Sequence, residues 1–249
     1  MAGRIYKADL HVHTCLSPCG DISMSPQEIV RAAVEHELDI IAISDHNTVA
    51  NVPGVMDAAK GTSLTVLPAM EITSREEVHI LSIFPTLEVA RAVESQTLEM
   101  LNDSDDESYV EDQIIVNGDD EVEGFCSKLL ITATKLSVRK TVELVHSVGG
   151  IAIAAHIDRQ AFGILGQLGF IPPKVKFDAL EISWRQSLAD APLNYPDQSD
   201  YTFITNSDAH FLKDLGRTYT QYFMMQPEFS ELAAALSRSN DRHVEVVTS

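Results

Sequence analysis

Two pairs of metal-ligating residue types sit near opposite ends of the chain, each tied to an apolar run. Asp9-Leu10-His11-Val12-His13 closes the run Ile5 to Leu10, and Ser207-Asp208-Ala209-His210 follows Tyr201 to Thr205. The pairing constrains the fold, because residues two apart on a strand point to the same face. His11 with His13, and Asp208 with His210, are therefore each expected to present two ligands from the end of a buried strand. Four further runs lead to residues of the same kind. Leu38 to Ser44 reaches Asp45 and His46, Leu64 to Ala69 reaches Glu71, Val78 to Phe84 contains His79, and Ile151 to Ala155 reaches His156. Six of the nine histidines thus lie in or directly after strand-like segments, while His36, His146 and His243 fall in polar or amphipathic stretches and read as surface residues.

Between these strand-like runs lie helical patterns at about 26–37, 87–101, 138–148 and 229–239, and the alternation points to an α/β architecture with parallel strands. Ser25-Pro26-Gln27-Glu28 has the form of a capping box at a helix start. With 249 residues, 45% of them hydrophobic, the chain fits one barrel-sized domain better than two small ones. No apolar run approaches the roughly 18 to 20 residues needed to cross a bilayer, and Met1 to Lys7 has no signal-peptide core. Cys15, Cys19 and Cys126 are too few and too unevenly placed for a disulfide framework. A cytoplasmic location without membrane contact is the expectation.

The net charge of −19 is unevenly spread: from Arg91 to Lys128 no basic residue intervenes among about a dozen acids. Residues 102–124 read as a solvated or mobile acidic insertion, with a lid or partner-binding segment as the alternative. Proteins that bind long polyanions use basic surfaces, so the charge argues against long nucleic acid as a partner and for a small phosphorylated substrate.

Imidazoles mixed with carboxylates suit zinc, manganese or iron, and a set of at least eight exceeds what one tetrahedral ion takes. In this pattern the chain resembles the PHP (polymerase and histidinol phosphatase) family of metal-dependent phosphoesterases. The resemblance rests on five blocks in family order: Asp-Leu-His-Val-His-Thr at 9–14, Ile-Ser-Asp-His-Asn at 43–47, Glu71 followed by His79, Ala-His-Ile-Asp-Arg at 155–159, and Asn-Ser-Asp-Ala-His at 206–210. It implies a distorted (β/α)7, TIM-like barrel with two or three divalent ions at the C-terminal mouth of its strands. It further implies that His11, His13, Glu71 and Asp208 hold one ion, that Glu71 bridges to a second held by His79 and His156, and that His46 and His210 hold a third. The last ligand of that third ion is open. Counting forward from His13 gives Cys19, and counting back from the Ser25-Pro26 helix start gives Asp21. The chain also has Ile157 where the family often has Pro.

Bridged divalent ions lower the pKa of a bound water towards about 7 and offset charge on phosphoryl oxygens, so hydrolysis of a phosphate ester by metal-activated hydroxide is the expected reaction. A nucleotide, a nucleoside bisphosphate or a histidinol-phosphate-like ester is the expected substrate. Arg159 and, behind Leu180 to Trp184, Arg185 are candidates to grip its oxygens. Asp45 is placed with them in the catalytic set as a group that orients a ligand, as Asp9 does before His11. Three alternatives stand beside this reading. One is an exonuclease on short nucleic acid. Another is an amidohydrolase, disfavoured by Glu71, by the terminal Asp-x-His and by the lack of a Lys after a mid-barrel strand. The third is a non-catalytic metal-bound module with 102–124 as its contact segment.

Overall fold

A computed structural model describes residues 3–101 and 113–246. Nine strands form one sheet: β1 (Arg4–Val12), β2 (Ile40–Ile43), β3 (Thr65–Thr73), β4 (His79–Ile83), β7 (Ile151–Ala154), β8 (Ala179–Ile182), β9 (Phe203–Thr205), β10 (Thr220–Met224) and β11 (His243–Glu245). Their spatial order is β11-β10-β1-β2-β3-β4-β7-β8-β9, and β5 (Ile114–Val116) with β6 (Val122–Phe125) makes a separate hairpin. The sheet curls into a nearly closed barrel. At its seam the link back to β1 is made largely by side chains and an irregular segment: Leu10 N donates to Asn206 Oδ1 at 2.8 Å, His13 N donates to Ala209 O at 3.0 Å, and Thr205 N donates to Thr220 Oγ1 at 2.8 Å.

The expectation of parallel strands holds for β1-β2-β3 and β7-β8-β9 but not throughout. β4 runs antiparallel to both β3 and β7, because only the tight turn Ser74 to Val78, closed by Ser74 N donating to Val78 O at 2.9 Å, separates it from β3. So short a connection allows a hairpin and no crossover.

Two apolar layers hold the barrel. The inner one stacks Tyr6, Ala8, Leu10, Ile40, Leu81 and Ile153 and is plugged at one end by Leu232, Ala235 and Leu236. The outer one packs the opposite strand faces against α1 (Pro26–Glu35), α2 (Val52–Ala58), α3 (Leu87–Glu99), α4 (Val138–Ser147) and α5 (Ile164–Leu168). α6 (Ala191–Asn194) and α7 (Phe229–Leu236) follow, and the plug residues belong to α7. Fully burying one such aliphatic side chain contributes roughly 1.5–3 kcal/mol. Among the described residues no helix is long and apolar enough to cross a membrane.

Two local expectations need correction. Ser25 stands at the N-cap of α1 but forms no side-chain cap, and Glu28 pairs with Arg31 instead of closing a box. The cap is Asp120, whose carboxylate accepts from Gln27 N at 3.0 Å and from Ser25 Oγ at 2.8 Å. The part of the acidic segment that is described, 113–124, is therefore no loose insertion: its hairpin is also pinned by Asn51, which accepts from Val116 N at 3.0 Å and donates to Ile114 O at 3.2 Å. Residues 102–112 lie outside the described residues.

Candidate metal centre

The inner face of each strand carries apolar side chains through the barrel and polar ones at its mouth. On β3, Leu67 and Ala69 lead to Glu71; on β8, Ala179 leads to Glu181; on β7, Ile151 and Ile153 lead through Ala155 towards His156. β1 breaks its own alternation. Tyr6, Ala8 and Leu10 face inward, yet Val12 belongs to the outer layer, and the pairing with β2 shifts register between Asp9 and Val12. This irregularity turns His11 and then His13 into the mouth, as bulges beside active sites do. His79 reaches the same place from the first residue of β4, because that strand is reversed.

Glu71 is the hub. Its Oε1 lies 2.7 Å from His79 Nδ1, 3.1 Å from His156 Nε2 and 3.3 Å from His11 Nε2. Its Oε2 lies 3.1 Å from His46 Nδ1 and 3.5 Å from His13 Nε2. Asp208 Oδ1 adds contacts of 3.4 Å to His11 and 3.3 Å to His13, and the His210 ring stacks on His13 with centroids 4.2 Å apart. Burial alone would raise the Glu71 carboxyl, but the imidazoles of His79 and His11 hold it well below the usual carboxylate range. For His13, burial and the neighbouring His210 and His46 push the imidazole well below its ordinary value.

The donor set fits divalent cations. Five imidazole nitrogens, His11 Nε2, His13 Nε2, His46 Nδ1, His79 Nδ1 and His156 Nδ1, are buried without a hydrogen-bond partner. Such orphans are expensive unless something else satisfies them. Four of them face carboxylate oxygens at 2.7–3.5 Å, close to the spacing of about 3.4 Å that tetrahedral ligands of one zinc ion have from each other. Three groups bring their ligand atoms within 4.8 Å of one another: His11, His13, Asp208; His46, Glu71, His79; and His13, His46, His210.

The tautomers agree with this. Ser17 Oγ donates to Asp45 Oδ1 at 2.7 Å, so toward His13 Nδ1, 3.0 Å away, it can only accept. His13 then carries its proton on Nδ1 and turns a lone pair on Nε2 inward. Glu181 does the same to His11, with Nδ1 at 3.0 Å from its carboxylate. Four residues around the site, Asn47, His156, Phe162 and Asp208, have positive φ angles of 57°, 29°, 63° and 49°. Strained backbone of this kind collects at functional sites.

The profile described as PHP domain matches residues 9–184, and the one described as PHP-associated matches 194–240. The chain belongs to the PHP family. PHP proteins are metal-dependent hydrolases, and this chain is similar to an uncharacterised Bacillus subtilis protein, YqxK, with 30% identity over 119 residues, covering 46% of the chain and 30% of YqxK. It is 34% identical over 80 residues to the 5'-3' exoribonuclease Rnm of Salmonella typhimurium, covering 30% of the chain and 26% of Rnm. The chain thus matches about a third or less of these relatives' lengths. Its fold resembles that of the lesion-specific endonuclease from Pyrococcus furiosus (TM-score 0.71, 17% identity, 97% of this chain and 58% of that one). It also resembles Endonuclease Q in complex with a 27-mer duplex carrying an abasic lesion at the active site (TM-score 0.74, 17% identity, the same coverage).

These PHP-type neighbours overturn the expectation that long nucleic acid is not a partner: one of them holds a duplex at its active site. Net charge misleads here because it sums the whole molecule. The described acids of the stretch from Arg91 to Lys128, Glu94, Glu99, Asp119, Asp120, Glu121 and Glu123, line neither the cluster nor the groove beside it, whereas Arg159, Arg185 and Arg217 do.

The other expected site residues divide. Cys19 joins the PHP cluster, its Sγ 3.2 Å from His46 Nε2. Burial would raise this thiol, but hydrogen bonds with His210 and His46 outweigh it and bring it down to about 7. Asp21 does not join. Its carboxylate turns back to Ser23 N at 2.9 Å and to Ser23 Oγ, shaping the loop that presents Cys19. Asp45 is buried behind the cluster, accepting from Thr14 N, Thr14 Oγ1 and Ser17 Oγ at 2.7–2.8 Å, and it reaches His13 through Ser17, so it stands behind the candidate ligands and does not line the cavity. Asp9 braces the seam, accepting from Ser207 N at 3.0 Å and Gly216 N at 3.1 Å. Arg159 pairs with Asp208 Oδ2 at the rim, and Arg185 is exposed one step further out. Glu181, Ser17 and Arg217 carry no motif. For Glu181 one signal was available, a lone acid between Leu180 and Ile182 in an otherwise apolar strand.

Proposed function

We propose that this protein hydrolyses phosphate esters at the Glu71 cluster and that nucleic-acid phosphodiesters are among its substrates. The observation that carries the reading is the convergence of four orphaned imidazole nitrogens, on His11, His13, His46 and His79, on Glu71 and Asp208, at the floor of a cavity of about 210 Å3 with Arg159 on its rim. His11, His13 and Asp208 would hold one ion, His79 and His156 with Glu71 a second, and His46, His210 and Cys19 a third. Divalent ions at such a place acidify water and offset charge on phosphoryl oxygens. The chain's own residues supply the rest. Glu181 and Ser17 fix the tautomers of His11 and His13. Arg159, freed from Asp208, meets a phosphoryl oxygen with its planar fork. Phe162, stacked on His79 with centroids 4.4 Å apart, and Ile131 wall one side of the cavity against water.

The second reading is a small phosphate ester such as a nucleotide, a nucleoside bisphosphate or a histidinol-phosphate-like compound. The cavity favours it by size, since about 210 Å3 takes a phosphoryl group and little more. Metal content by elemental analysis, with product release measured over these esters and over short RNA and DNA in manganese or zinc, tests both. Two or three ions per chain with oligonucleotide cleavage support the proposal. Release from small esters alone selects the second reading, and protein that binds no metal under any condition overturns both.

A further inference from the structure

Beyond Arg159 the metal cavity continues into a second groove of about 460 Å3, which shares Cys19, Arg159, Asp208 and His210 with the first and adds Trp184, Arg185, Phe211 and Arg217. We infer that this groove is a track for single-stranded nucleic acid, with Trp184 as the platform on which a base beside the scissile phosphate stacks. The inference rests on the phosphodiester reading above and specifies the form of its substrate.

Trp184 lies two residues past the end of β8 and is 41% exposed, although indole is the largest side chain a core can use. The ring is held in place. The Arg217 guanidinium lies 4.1 Å from its centroid, and Arg217 is itself braced by Ser207 O at 2.8 Å and Asp214 at 3.2 Å. Arg185 Cζ stands 5.3 Å from the same ring and forms no ion pair among the described residues. A few residues away the pairing of cation and exposed ring recurs: Phe211 is 44% exposed, with Lys213 Nζ 5.2 Å from its centroid.

The two carboxylates in this groove are committed, Asp208 to Arg159 and Asp214 to Arg217. Arg185 and Lys213 leave a positive surplus beside a cluster that itself takes phosphate. Exposed aromatics interleaved with cations are the means by which proteins bind single strands, since every base has a face to stack and every linkage a charge. A duplex hides those faces in its own stack, and a small ester confined to the inner cavity would leave Trp184 idle. A frayed end or a single strand uses the whole groove.

Trp184 is the only tryptophan of the chain, so its fluorescence reports the contact directly. The test titrates metal-loaded protein with a phosphorothioate thymidylate octamer and, separately, with an abasic octamer of equal charge. The expected result is saturable quenching by the first and little by the second. In cleavage assays on the unmodified octamers, the wild type is expected to favour bases over abasic sites by about tenfold in KM, within the range that one base–aromatic stack supports. Trp184→Ala should erase that preference, and Trp184→Phe should keep most of it. Equal quenching by both octamers, or a preference that survives Trp184→Ala, overturns the platform. If neither octamer is cleaved while base-dependent quenching persists, the hydrolytic reading fails and the binding track stands.

Discussion

Glu181 and Ser17 decide which nitrogen of His11 and His13 faces the cluster, and neither belongs to a recognisable motif. Losing such a partner typically costs ten- to a hundredfold in metal affinity. Glu181→Ala is therefore expected to lower zinc affinity by about that factor, with Glu181→Gln, which can still accept from Nδ1, recovering most of it; competition against a chelator reads the result, and unchanged affinity in the alanine variant would reject the orienting role. Cys19 and Asp21 give a second contrast. Cys19→Ala should reduce the bound metal by about one ion per chain, while Asp21→Ala should keep the full complement, because its carboxylate is spent on Ser23. Arg159→Ala should lower kcat/KM by about tenfold or more, and an unchanged value would remove it from substrate binding. The strand-end histidines were legible in the sequence, since alternation and apolar runs mark them. The choice between Cys19 and Asp21 was not. It depends on how the loop from Thr14 to Ser25 folds back, and that is set by Gly20, whose backbone sits so close to Thr14 O that a Cβ would collide with it.

Strand direction and a single bulge place those residues. An alternation read strictly from Tyr6, Ala8 and Leu10 puts His11 on the outer face; the register shift after Asp9 corrects it, and no residue type in β1 announces that shift. The reversed β4 explains why His79 begins its strand when the other candidate ligands lie near or beyond the C-terminal ends of theirs. The strand runs themselves were readable, but their parallel order was not, because the turn from Ser74 to Val78 is polar like any loop and only its length betrays a hairpin. Likewise the cap of α1 comes from Asp120, 93 residues from the Gln27 amide it satisfies. Removing a cap costs typically about 1 kcal/mol. Asp120→Ala is thus expected to lower Tm by roughly 2–4 °C, and calorimetry finding no change would show that water replaces it.

Across the whole molecule, the ligands span the seam of the barrel: His11 and His13 come from its first strand, and Asp208 and His210 from the segment that closes on it. A cation shared by these residues would tie the two edges together. Binding at a hundred times Kd stabilises the folded state by about 2.7 kcal/mol per site, so stripping the metal with a chelator should lower Tm by roughly 5–10 °C per ion. Restored zinc or manganese should reverse the shift, and a Tm indifferent to both would sever the cluster from the stability of the seam.

That seam also fixes an order of events during biosynthesis. A ribosome that has reached the end of the PHP-domain match at residue 184 has made His11, His13, His46, Glu71, His79 and His156, yet the Asp208 that draws two of them together is still unwritten. Until residues 208 to 210 are made, the nascent chain carries an incomplete set of imidazoles and carboxylates with nothing to close it, so the cluster can assemble only after the segment that seals the barrel has been written.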